Sequence, residues 1–177
     1  MMNRIMGVLT LKAPTYREIA DDKNATMTAG IIVVVMALLS AILTFLFTGA
    51  IGAAVGQPSA ASPLRSAIQT ILSVIIGWFV GSWVFAFVSK TFFGGKTNTG
   101  EMLRVFGYAQ VFSILNIVPV CGSIAALVLS VIAAVIGIRE ASEFDTTKAI
   151  LTGLVGLVII WIVTAIIAFA LAAVGVI

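Results

Sequence analysis

The chain has 177 residues, of which 61% are apolar and 10% charged, with a formal net charge of +3 and a mean hydropathy of +1.21. That composition excludes an ordinary soluble domain and indicates a lipid-dissolved chain with room for one domain. There is no histidine and one cysteine, which excludes His-based catalysis, His metal ligation, a Ser–His relay, a cysteine-rich metal site and an internal disulfide.

Residues 1–28 are predicted to form a cytoplasmic or interfacial segment. Met2, Ile5, Met6 and Leu9 recur at helical spacing, the pattern of a short helix lying in the membrane interface. After Pro14, Thr15 and Glu18 have capping-box spacing and predict a second helical start. The acidic residues Glu18, Asp21 and Asp22 precede the first apolar span, so the first helix is expected to act as its own signal without cleavage.

Residues 29–177 are predicted to form an all-α, polytopic transmembrane helix bundle of five spans. Charged residues are missing from 25–64, 66–89, 105–138 and 149–177. A helix rising about 1.5 Å per residue needs about 20 apolar residues to cross about 30 Å of hydrocarbon. The first run contains the polar, flexible stretch Gly52–Pro63 and so holds one span, 29–51. The second holds 67–89 and the last 149–174. The third run is long for one helix and short for two. Asn116, Pro119, Gly122 and Ser123 read as a turn dividing it into 102–117 and 122–138. The alternative is one kinked helix and four crossings.

Charge parity favours five. With five crossings, nine of the ten cations fall on one side and only Arg65 on the other. Because Lys and Arg concentrate in cytoplasmic loops, the N-terminus is placed in the cytoplasm and the C-terminus outside.

Two loops carry most of the remaining charge. In Lys90–Arg104, Asn98 and Glu101 have capping-box spacing, and Glu101 and Arg104 are placed to form a weak exposed pair. The loop 139–148 holds Arg139, Glu140, Glu143, Asp145 and Lys148. Candidate partner-binding residues are Lys96, Glu101, Arg104, Arg139 and Glu140. Within the bilayer, Ser73, Gly77 and Gly81 fall at four-residue spacing and form a candidate helix-packing face, within the chain or between chains. Gly52 and Gly56 share that spacing but read as loop. Trp78 and Trp83 are expected to pack, and Phe92, Phe93 and Tyr108 to anchor the boundary. No carboxylate lies in a span to relay protons, and no phosphate-binding glycine loop occurs. An enzyme is not expected; no catalytic residue, metal ligand or cofactor is assigned.

Three segments carry a resemblance: 14–19 (Pro-Thr-Tyr-Arg-Glu-Ile), 102–109 (Met-Leu-Arg-Val-Phe-Gly-Tyr-Ala) followed by Pro119, and 137–141 (Gly-Ile-Arg-Glu-Ala) with 146–149 (Thr-Thr-Lys-Ala). In order, spacing and five-span layout the chain resembles the Yip1 domain family. The resemblance implies a helical bundle with a cytoplasmic N-terminus and, in eukaryotic relatives, a role in vesicle traffic through Rab GTPases and oligomeric partners. The chain lacks those relatives' long N-terminal region and its acidic Leu-Tyr-Gly-Pro segment, and so is similar to prokaryotic members, which places it in a prokaryotic inner membrane. The expected function is that of a non-enzymatic membrane scaffold or interaction protein. Its expected associations are membrane lipids, a homo-oligomer and a cytoplasmic protein partner, without nucleic acid. The competing class is a small-solute permease or channel, motivated by the interruption at Asn116–Gly122 and by the uncharged polar groups Thr44, Gln69, Gln110, Ser113 and Thr164.

Overall fold

A computed structural model describes residues 2–54, 62–118 and 120–173. Among these, all regular structure is helical: α1 (Met2–Leu9), α2 (Ala13–Asp21), α3 (Ala25–Ala54), α4 (Pro63–Phe93), α5 (Thr99–Ala109), a 3-10 helix (Gln110–Ile117), α6 (Cys121–Ser142) and α7 (Thr146–Ala173). The helix ends follow local chemistry. Ser62 caps α4 by accepting the Arg65 N–H at 3.2 Å, and Pro63 occupies the first turn, where no N–H is needed. At its other end α4 stops at Gly94, which takes φ +70°, and the Gly94 N–H bonds the Ser89 carbonyl. The Asn98–Glu101 capping box expected from the sequence is formed in both directions at the start of α5.

Four helices, α3, α4, α6 and α7, are long and apolar enough to cross a membrane. They run past the predicted bounds by up to several residues, because a helix satisfies its own backbone in the interface as well as in the hydrocarbon. The segment predicted as a third span of regular helix differs. It is eleven residues of α5 followed by eight residues of 3-10 helix, and such a run exceeds the usual three or four residues. The Thr15–Glu18 capping box is also corrected. α2 begins earlier, at Ala13, with Pro in its first turn, and Glu18 turns instead to Arg4. The stretch 55–61, with Gly56 and Ser59, and Pro119 lie outside the described residues.

α3 packs along α4; α5 wedges between α3, α4 and α6; α2 lies on α5 and α6; and α7 closes against α4 and α6. The largest fully buried side chains, Tyr16, Ile19, Met102, Tyr108, Phe112 and Ile138, join one core that includes the N-terminal helices. Tyr108 is thus a core residue rather than a boundary anchor. Its neighbour Gly107 lets α5 meet α3 at Ala29, while α6 meets α5 where Gly137 faces Val105. Elsewhere large apolar side chains point outward, as with Trp161, which is 77% exposed. Trp83 belongs to this outward set, stacked on Phe87 at 5.7 Å, so it is not the interior packing residue expected.

Candidate functional site

All seven carboxylates of the chain and nine of its ten cations belong to α1, α2 and the turns flanking it, the stretch from the end of α4 into the start of α5, and the stretch from the end of α6 into the start of α7. These elements converge on one end of the bundle. Arg4 of α1 donates to Glu18 at 2.8 Å and to Asp22 at 2.7 Å, which folds α1 back on α2. Tyr16, fully buried, donates its hydroxyl to the Val8 carbonyl at 3.3 Å and tightens the same hairpin. Burial in this apolar setting pushes the Tyr16 hydroxyl's pKa well above its ordinary value.

Arg17 joins this hairpin to the bundle. It donates to the Glu140 carbonyl at 2.9 Å and to Glu143 at 2.7 Å, and pairs with Asp21 at 3.0 Å within its own helix. Lys96 reaches Glu143 from the other side at 3.0 Å. The two cations, Lys96 first and Arg17 second, hold the Glu143 carboxyl below its ordinary range. Arg4 does the same for Asp22, helped by the Asn24 N–H. The α4 and α6 ends are fastened by the Ser89 hydroxyl donating to Ser142 at 2.8 Å and by the Lys96 N–H bonding the Ser142 carbonyl.

The predicted partner-binding residues separate into two groups. Lys96, 79% exposed, lies on the surface of the charged end, as do the paired Arg139 and Glu140, 2.8 Å apart, and Glu101 in its capping box. Arg104 does not. It is 7% exposed, and the expected pair with Glu101 is not made. Its Nε donates to the Ile19 and Ala20 carbonyls at 3.2 and 3.0 Å, its Nη2 also reaches Ala20, and its Nη1 reaches Thr26 at 3.4 Å. Those carbonyls end α2 and have no partner within their own helix, so the guanidinium fork serves as their cap. Glu101 is drawn instead to Asn98, one turn back.

The small-residue face does not pack within the chain. Gly77 and Gly81 have no atom of another element within 4 Å of where a Cβ would stand, so they are not a packing seam inside the chain. With Ser73 they line a crevice of about 370 Å³ bounded by α4, α5, α6 and α7. Sequence reasoning gave no role to Arg4, Asp22 or Ser89, whose partners lie at separations of 14 to 53 residues that no local spacing reveals.

A family model described as Yip1 domain matches residues 6–169, from α1 into α7. The chain belongs to the Yip1 domain family. No curated protein sequence and no solved structure matches it. The match begins inside α1, so the Yip1 domain here takes in the docked N-terminal helices as well as the apolar bundle. Four apolar helices within the matched region make it an integral membrane protein of the multi-pass type.

Proposed function

We propose that this Yip1 domain protein is a non-enzymatic scaffold of a prokaryotic inner membrane, presenting its charged end to a cytoplasmic protein partner. The observation that carries this reading is chemical segregation. Every carboxylate is at one end, and ion pairs and backbone bonds hold that end as a folded platform. On it Lys12, Lys23, Lys90 and Lys148 remain exposed, free to meet a partner of opposite charge.

The reading includes five crossings with the charged end in the cytoplasm. α5 and the 3-10 helix run antiparallel to α6, with Val105 beside Gly137 and the Leu115 carbonyl beside Gly122. At about 2.0 Å per 3-10 residue and 1.5 Å per α-helical one, Val105–Ile117 covers roughly 24 Å, close to one hydrocarbon thickness. An extended helix thus does the work of a longer one. Only Arg65 among the cations then faces outward.

One probe tests both parts. Ser142 is buried, so the reporter on the α6–α7 connection is the exposed Asp145. In intact cells a membrane-impermeant maleimide should label the exposed native Cys121 and fail to label Asp145→Cys in a Cys121→Ala background. Four crossings predict the reverse. A photocrosslinker attached to Asp145→Cys in inverted vesicles should then capture a cytoplasmic protein; finding no product would remove the platform reading.

A further inference from the structure

The crevice among α4, α5, α6 and α7 lies at mid-height in the bundle. Gly77 is the fifteenth of 31 residues in α4, Ser130 the tenth of 22 in α6, and Ile160 the fifteenth of 28 in α7. At the same height the third apolar segment changes from α to 3-10 geometry, and Gln110, the first residue after the change, lines the crevice. The Gln110 backbone is satisfied: its N–H bonds the Phe106 and Tyr108 carbonyls, and its own carbonyl accepts from Ser113 at 2.7 Å. Among the described residues its side-chain amide makes no hydrogen bond, nor do the Ser73 and Ser130 hydroxyls that share the wall. In hydrocarbon no water replaces the missing partners. An uncharged polar side chain left without a partner beside a cavity at mid-height is where a helical membrane protein can hold a ligand.

The crevice specifies its occupant. No Lys, Arg, Asp or Glu lines it, so a charged head group would lie there without a counter-ion. Ser73 and Gly77 are exposed on the lipid side, so entry is from the bilayer. We propose that the crevice is a binding site for a slim, uncharged, membrane-soluble molecule bearing one hydrogen-bonding oxygen, of the long-chain alcohol class. Its chain lies along Gly77 and Ile160, and its oxygen accepts from the Gln110 amide and meets Ser130. This site is independent of the scaffold reading and of which side of the membrane each end faces.

The probe is a sixteen-carbon alcohol with a mid-chain photoactivatable diazirine, compared with the same chain lacking the hydroxyl, on the full chain in lipid nanodiscs. The alcohol should label the walls around Ser73, Ser130 and Ile160 saturably, at least fivefold above the plain hydrocarbon, and unlabelled alcohol should compete. Gln110→Leu should lower alcohol labelling to the hydrocarbon level, while Gly77→Leu and, from the facing wall, Ser130→Leu should abolish both. Competition in the unmodified protein keeps the test decisive if a variant fails to fold. Uncompeted labelling spread over outward residues such as Leu127 and Trp161 would overturn the proposal. So would a disulfide dimer through Ser73→Cys, made in Cys121→Ala, that blocks labelling, because a second copy would then occupy the face.

Discussion

The charged end of the bundle and its middle solve the same packing problem in opposite ways. At the charged end helices are in close contact at glycines: a Cβ added at Gly107 meets Ala29, and one at Gly137 meets the side chains of Val105 and Tyr16. In the middle, Gly77 and Gly81 face open space. Polar groups divide likewise. Ser89 and Ser142 satisfy each other and Arg104 caps α2, whereas the Gln110 amide projects into a crevice. Close packing is therefore found where α2, α5 and α6 meet and where α5 crosses Ala29, and the Gly77–Gly81 face is left open.

The sharpest way to break this comparison is to place the same side chain at both kinds of glycine. Gly137→Leu has to push aside Val105 in a filled contact, and overpacking of this kind costs about 1–3 kcal/mol or more. Gly77→Leu enters open space and should change stability by less than about 0.5 kcal/mol. Thermal unfolding in one detergent measures both. Equal losses would mean that the middle is as closely packed as the end.

That contrast also shows what was legible in the sequence. The apolar spans were readable because absence of charge over 20 residues has one physical explanation in lipid, and the Asn98–Glu101 cap because its partners lie within one turn. Spacing within one helix did not tell whether Gly77 and Gly81 pack inside the chain or against another, and inside the chain they meet no partner, since a small-residue pattern records that close approach is permitted, not that a partner arrives. Gly107, where a partner does arrive, belongs to no repeated pattern, while Gly137 sits in the buried register Ala133, Gly137, Ala141 that the sequence reading did not single out. The same limit hid the platform. Arg104 lies three residues from Glu101, yet its partners are 78 to 85 residues distant, and only the folded arrangement of α2 over α5 brings them together. The change from α to 3-10 helix at Gln110 had no warning either, because no proline or glycine marks it.

A smaller effect is expected when the clamp on α2 is removed. Arg104→Met keeps much of the side-chain length but leaves the Ile19 and Ala20 carbonyls without their charged donor, a loss of about 1.5–3 kcal/mol. It should appear as local opening of the hairpin rather than collapse of the bundle, with trypsin cleavage after Lys12 and Arg17 accelerated tenfold or more. Arg104→Lys, which brings a point charge without the planar fork, should fall between. An unchanged cleavage rate in Arg104→Met would show that α2 is held by Tyr16 and Ile19 packing alone.

The least effect on folding, and the most informative for function, is expected at Lys96. Its ammonium pairs with Glu143 but is 79% exposed, and Glu143 keeps Arg17 at 2.7 Å when Lys96 is removed. Exposed pairs of this kind contribute little, so Lys96→Ala should leave the trypsin cleavage rate within about twofold of the parent. Arg17→Ala should not: it severs the link to both Glu140 and Glu143 and should free the hairpin, seen as faster cleavage after Lys12, the site that remains. If the platform meets a partner through its exposed cations, Lys96→Ala should weaken crosslinking from Asp145→Cys while abundance and cleavage stay normal. Function would then be lost without loss of the fold. Should crosslinking persist in Lys96→Ala and vanish only in Arg17→Ala, the partner reads the docked hairpin itself, and the surface charge at Lys96 has no part in recognition.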